Sequence, residues 1–140
     1  MRAHAPDPPT PDSLSHSIAA RLGGGAPRIV WTDAGDEVLV HLDGLDAQAR
    51  DGMLVVRVEL EADDVGRERL TLPFALGEDA GGRLVATAPE VVTGGPLAAR
   101  WGLIAQDTIF DALAYLRGGR APQRCAAELD AVVARKGVKS

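Results

Sequence analysis

Between Leu54 and Glu61 the chain alternates without a fault. Leu54, Val56, Val58 and Leu60 occupy one set of positions, and Val55, Arg57, Glu59 and Glu61 the other. Successive side chains of a strand point to opposite faces, so this period of two predicts a strand with one buried and one solvated face. The pattern recurs after a turn at Asp63-Asp64-Val65-Gly66. Leu70, Leu72, Phe74 and Leu76 face inward, and Arg67, Arg69 and Thr71 face outward. Two such segments joined by a few residues predict an antiparallel hairpin, and that commits the domain to a half-buried sheet.

Parity constrains the register. Inward positions on both strands are even-numbered, so paired residues must sum to an even number. A three-residue loop Asp64-Val65-Gly66 meets this, with Gly66 in the left-handed position, and sets Glu61 opposite Arg69 and Glu59 opposite Thr71. A five-residue loop is also allowed; a two-residue loop is not. Either allowed register lays carboxylates beside guanidinium groups on the outer face.

Two strands are expected before this hairpin, Arg28 to Thr32 and Glu37 to Asp43, joined by the turn Asp33-Ala34-Gly35-Asp36. A fifth is expected from Leu84 to Val92, where Pro89 makes it an edge strand or shortens it. From Pro96 the period becomes helical. Leu97, Trp101, Ile104, Ala105, Thr108, Ala112 and Leu116 form one stripe, with Leu103, Phe110 and Leu113 apolar outside it. Gly118-Gly119 ends this helix, and Pro122 opens a last one carrying Cys125, Leu129, Val132 and Val133 on one face. Strands followed by helices imply an α+β fold: an antiparallel β-meander of 4–5 strands covered on one face by two C-terminal helices.

The N-terminal part reads differently. Prolines at 6, 8, 9 and 11 predict a disordered arm, followed by a short helix from Ser13 to Leu22 and a hinge at Gly23-Gly24-Gly25. The expected organisation is therefore an arm, helix and hinge over residues 1–25 and one α+β domain over 26–140. A helix on such a hinge is expected to dock, on this molecule or on a neighbour.

The chemistry available is sparse. From Gly23 to Lys139 there is no Ser and no Asn, one His, one Cys and one Tyr. Enzymes draw nucleophiles, bases and oxyanion donors largely from those types. Four groupings still bear examination. His41 with Asp43 offers a base or a metal ligand. Asp107 and Asp111, four apart on a helix, offer paired carboxylates. Thr93-Gly94-Gly95-Pro96 with Arg100 offers a helix N-terminus that could hold an anion. Cys125 is expected to be an inert, buried thiol. Each reads more economically as ordinary structure. A calcium loop starting at Glu59 is excluded, because its sixth position is Asp64 rather than Gly and its twelfth is Leu70 rather than Glu. No metal and no cofactor is expected.

Charge narrows the partners. Residues 28–94 carry six arginines against fourteen carboxylates, while residues 95–140 carry seven bases against four acids. An acidic body repels phosphate backbones, so no nucleic acid is expected. No apolar run reaches the length of a membrane helix, so no membrane is expected either. A single cysteine suits a reducing cytoplasm, and the bias to Arg, Ala and Gly suits a bacterial source.

The helix from 97 to 116 is apolar around more than one face, which demands a second cover, from this chain or from another subunit. The expected function is a non-catalytic protein-interaction or assembly module, working as a homo-oligomer or as a subunit of a larger complex. Its expected contacts are Leu97, Trp101, Ile104, Phe110 and Leu113, with Leu14 and Ile18 of the first helix. The alternative is a carrier or sensor of small apolar ligands, with a pocket between sheet and helices lined by Leu72, Phe74, Trp101, Ile104 and Phe110. An enzyme using His41 and Asp43, or Asp107 and Asp111, ranks last.

Overall fold

The computed structural model describes residues 13–50, 52–86, 91–120 and 127–133. It is an α+β fold built on one antiparallel sheet of strand order β1-β2-β3-β4. The elements run α1 (Leu14–Gly23), β1 (Arg28–Asp33), β2 (Asp36–Arg50), β3 (Met53–Ala62), β4 (Gly66–Phe74), β5 (Leu76–Glu78), β6 (Leu84–Ala86) and α2 (Pro96–Tyr115). A wider π-type turn, Leu116–Arg120, follows α2, and a third helix, α3, spans 127–133. The Pro-rich segment 1–11, Pro89 and Cys125 lie outside the described residues.

The alternating strands set the core. Val38, Val40, Leu54, Val56, Val58, Leu60, Leu70, Leu72 and Phe74 are all at most 1% exposed. Burial of this single face is the main favourable term in folding such a sheet. Helix α2 lies over it through Leu97, Trp101, Ala105, Ile109, Ala112, Leu113 and Leu116. Ile109, absent from the stripe read off the sequence, is fully buried, whereas Ile104 and Thr108 sit half-buried at its margin. Leu129, Val132 and Val133 of α3 complete the same core.

Helix α1 shares this core rather than standing apart. Ser13 caps it, its hydroxyl accepting from the His16 N–H at 3.1 Å, and Gly24 closes it in the left-handed conformation. Leu14 and Ile18 face β2, where the Ala47 N–H also donates to Ser15 Oγ at 2.9 Å. A side chain at Gly23 would stand 2.4 Å from Leu42 Cδ1, so helix and strand approach closely there.

Four strand expectations need correction. The β3–β4 pairs sum to 128, not 130: Glu61 faces Arg67, Glu59 faces Arg69, and Ala62 faces Gly66 across the loop 63–65. Parity permits both values, and Gly66 keeps its left-handed backbone as the first residue of β4. Strand β4 stops at Phe74, and Leu76 instead opens a separate hairpin with β6. Among the described residues, the segment expected as a fifth meander strand contributes only β6, which pairs with β5 rather than with the sheet, and Thr93, which makes one antiparallel bridge to Thr71 at the β4 edge.

Strand β2 runs to Arg50, beyond the expected Asp43, through an irregularity between His41 and Asp46. There five steps along β2 match two along β3, which reverses the parity of every later residue. Leu42 and Leu45, within it, are buried.

Candidate functional site

Two clusters tie the N-terminal turns of α2 to the sheet. The helix begins at Pro96 without a capping side chain of its own. Its free N–H groups are met by Glu68, which occupies an even-numbered, inward position of β4. The Gly95 N–H donates to Glu68 Oε2 at 2.7 Å, the Ala98 N–H to the same oxygen at 2.7 Å, and the Leu97 N–H to Oε1 at 3.1 Å. A carboxylate at this end also meets the positive pole of the helix. Gly94 and Gly95 make room for it: a Cβ on Gly95 would lie 2.8 Å from Glu68 Oε1, and one on Gly94 3.0 Å from Oε2. The helix N-terminus at Thr93–Pro96, which read more economically as ordinary structure, is capped by the chain's own carboxylate.

Arg100 does not assist there. It reaches the β1–β2 turn, donating from Nη1 to Asp33 Oδ2 at 2.9 Å, from Nε to Asp36 Oδ2 at 3.1 Å, and from Nη2 to the Asp33 carbonyl at 2.8 Å. Its guanidinium also lies 4.7 Å from the Trp101 ring centre. The hydrogen bond to Asp33 is the first reason its proton is held more tightly than usual.

At the other end of α2, Arg117 joins three elements. It donates to Glu78 of β5 and, at 2.9 Å from Nε, to Asp130 of α3. Hydrogen bonding to Glu78 raises its pKa against the opposing effect of burial.

His41 is 5% exposed, and its partner is Glu61, with Nε2 and Oε1 2.8 Å apart; Asp43 is exposed. A histidine–carboxylate pair activates a nucleophile only if one lies beside it. Among the described residues the His41 side chain bonds to Glu61, and the pair ties β2 to β3 as a cross-strand clamp. Asp107 and Asp111 are both exposed on α2. No group of three or more His, Cys, Asp or Glu side chains able to hold a metal occurs among the described residues.

The expected contact residues divide in two. Leu14, Ile18, Leu97, Trp101 and Leu113 are 3% exposed or less and pack within this chain's own core. Ile104 and Phe110 are half-buried. Leu103, on the outer side of α2, is 77% exposed. Of the expected pocket lining, Leu72, Phe74 and Trp101 are closely packed core. A cavity of about 240 Å³ lies elsewhere, between α1 and β2. Its lining includes Ala19, Pro27, Leu42 and Leu45, with Ser15, His16 and Asp43 as polar groups.

Sequence reasoning missed Glu68. The signal was present, since Glu68 is a charged residue at an inward position of an alternating strand, and such a residue needs a partner. Comparison with protein-family models, with curated proteins and with solved structures returned no match.

No helix among the described residues is long and apolar enough to cross a membrane.

Proposed function

We propose that this chain is a non-catalytic protein-interaction or assembly module, working as a homo-oligomer or as a subunit of a larger complex. The observation that carries the reading is the fate of its polar groups. Glu68, Arg100, Arg117 and His41, the side chains best suited to chemistry, are each committed to a contact that holds one element to another. The outer side of α2 and the edge strand β1 also leave apolar surface available. Ala99, Leu103, Phe110 and Ala114 recur on the outer side of α2, and Val30 of β1 is 53% exposed. The acidic surface of residues 28–94 gives such a module protein partners rather than nucleic acid. Light scattering on the full chain over a wide concentration range tests this. A mass above that of one chain supports it; a monomer at the highest concentration, with no uptake of an apolar dye, contradicts it.

The cavity between α1 and β2 favours a second reading, a carrier of small apolar ligands. About 240 Å³ is below the usual range for drug-sized ligands, so the occupant would be a short aliphatic or monocyclic compound. Ligand binding to the native state must raise the melting temperature. A panel of such compounds with no thermal shift removes this reading.

A further inference from the structure

Among the described residues, strand β1 pairs on one side only, and the hydrogen-bonding pattern of its other edge defines what can sit there. The Leu42 N–H donates to the Pro27 carbonyl at 2.8 Å, and β1 and β2 pair with residues summing to 69. Hydrogen-bonded pairs alternate in an antiparallel ladder, so Ile29, Trp31 and Asp33 direct their N–H and C=O groups to β2. The groups of Arg28, Val30 and Thr32 point the other way, off the sheet. Ile29 to Thr32 contains no proline, charge or bulge, the devices that normally protect an edge. The opposite edge of the sheet is treated differently: β4 carries Pro73 and takes the bridge from Thr93.

We propose that two copies of this chain pair edge to edge through β1, antiparallel, about a two-fold axis at Val30, to give one continuous eight-stranded sheet. This rests on the assembly reading above and names its partner and surface.

Three constraints converge on that register. Only even-numbered residues have free backbone groups, so the pairs must be even with even. Setting Val30 opposite Val30 of the second copy meets this and also pairs Arg28 with Thr32 in both directions, using every free group of the strand. The same register keeps the inner faces on one side, setting half-buried Ile29 opposite half-buried Trp31 of the other copy. It also satisfies charge. Arg28 and Glu37 are exposed, and neither has an ion-pair partner among the described residues. Glu37 lies beside Thr32 on the outer face. Arg28 of the second copy therefore points across Thr32 towards Glu37, a span of about 10 Å that the two long side chains bridge. The two-fold repeats this pair at the other end of the strand. One six-residue strand per copy is a small interface, so association depends on concentration.

Sedimentation equilibrium of the full chain tests the proposal, with circular dichroism confirming that each variant folds. The wild type should rise with concentration toward twice the 14.6 kDa chain mass. Val30→Lys sets two ammonium groups opposite each other at the axis and should weaken association at least about tenfold. Arg28→Glu should also weaken it, and adding Glu37→Arg should restore it. An oligomer whose mass ignores Val30→Lys overturns the edge pairing and leaves the assembly reading standing. Failure of the charge swap to restore association overturns the register at Val30. A wild type that stays monomeric overturns the pairing and removes self-assembly from the broader reading.

Discussion

Glu68 Oε2 stands 2.7 Å from the Gly95 N–H, across 27 residues of sequence, and through it the inner face of β4 sets the starting point of α2. The carboxylate takes two further N–H groups of the same turn, so one side chain does what a local capping residue does elsewhere. Glu68→Ala leaves three N–H groups without this acceptor. Its expected cost is about 1–3 kcal/mol in urea denaturation, and less for Glu68→Gln, which keeps an acceptor oxygen but loses the charge. Gly95→Ala should destabilise as well, because the new methyl meets that carboxylate.

Arg100 and Asp33 fasten the second side of α2, on the surface rather than under it. Surface pairs are screened by salt. Arg100→Ala should therefore destabilise less than Glu68→Ala, and the difference from wild type should shrink in high salt. Denaturation midpoints at two ionic strengths check this.

Ile18 is fully buried, with α1 docked on β2. Ile18→Ala should cost about 2–5 kcal/mol if the helix belongs to the cooperative core. Hydrogen exchange should show α1 amides opening with the sheet in the wild type and losing protection in the variant.

The raised pKa of Arg117 carries a sign for stability. A group held protonated by its partners stabilises the fold fully below its ordinary value, and that contribution is lost only as pH rises through the raised one. Arg117 therefore adds no slope to stability from neutral to mildly alkaline pH. Equal differences between wild type and Arg117→Met at both ends of that range are expected.

A carboxylate oxygen accepts, so the bond between His41 and Glu61 carries its proton on Nε2. Nitrogen-15 spectra of the neutral histidine ring should show the Nε2–H form, and Glu61→Ala should move the Nε2 resonance by removing its acceptor.

How much of this was legible beforehand follows from the physics of each signal. The faces of β3 and β4 were plain from residues 54–61 and 70–74, because alternation is a direct record of burial. The register was not, because sums of 128 and 130 satisfy the same parity and only the turn backbone separates them. The second half of β2 escaped notice because the irregularity after His41 breaks the period that reveals a strand. Helix α2 was clear in extent, yet Ile109 was passed over at the centre of its buried face. The candidate sites were read from sequence neighbours, whereas their partners are distant: His41 meets Glu61, and Arg100 meets Asp33. Glu68 alone announced a long-range partner, by its place on the wrong face of a strand.

Amide hydrogen exchange of β1 at low and high protein concentration tests the central claim most directly. Ile29 and Trp31 should be protected at both concentrations, since their N–H groups bond β2. Val30 and Thr32 should exchange quickly in dilute solution and become protected as the two edges meet. If Val30 exchanges just as fast at the highest concentration, the edge stays open and this chain does not assemble through it.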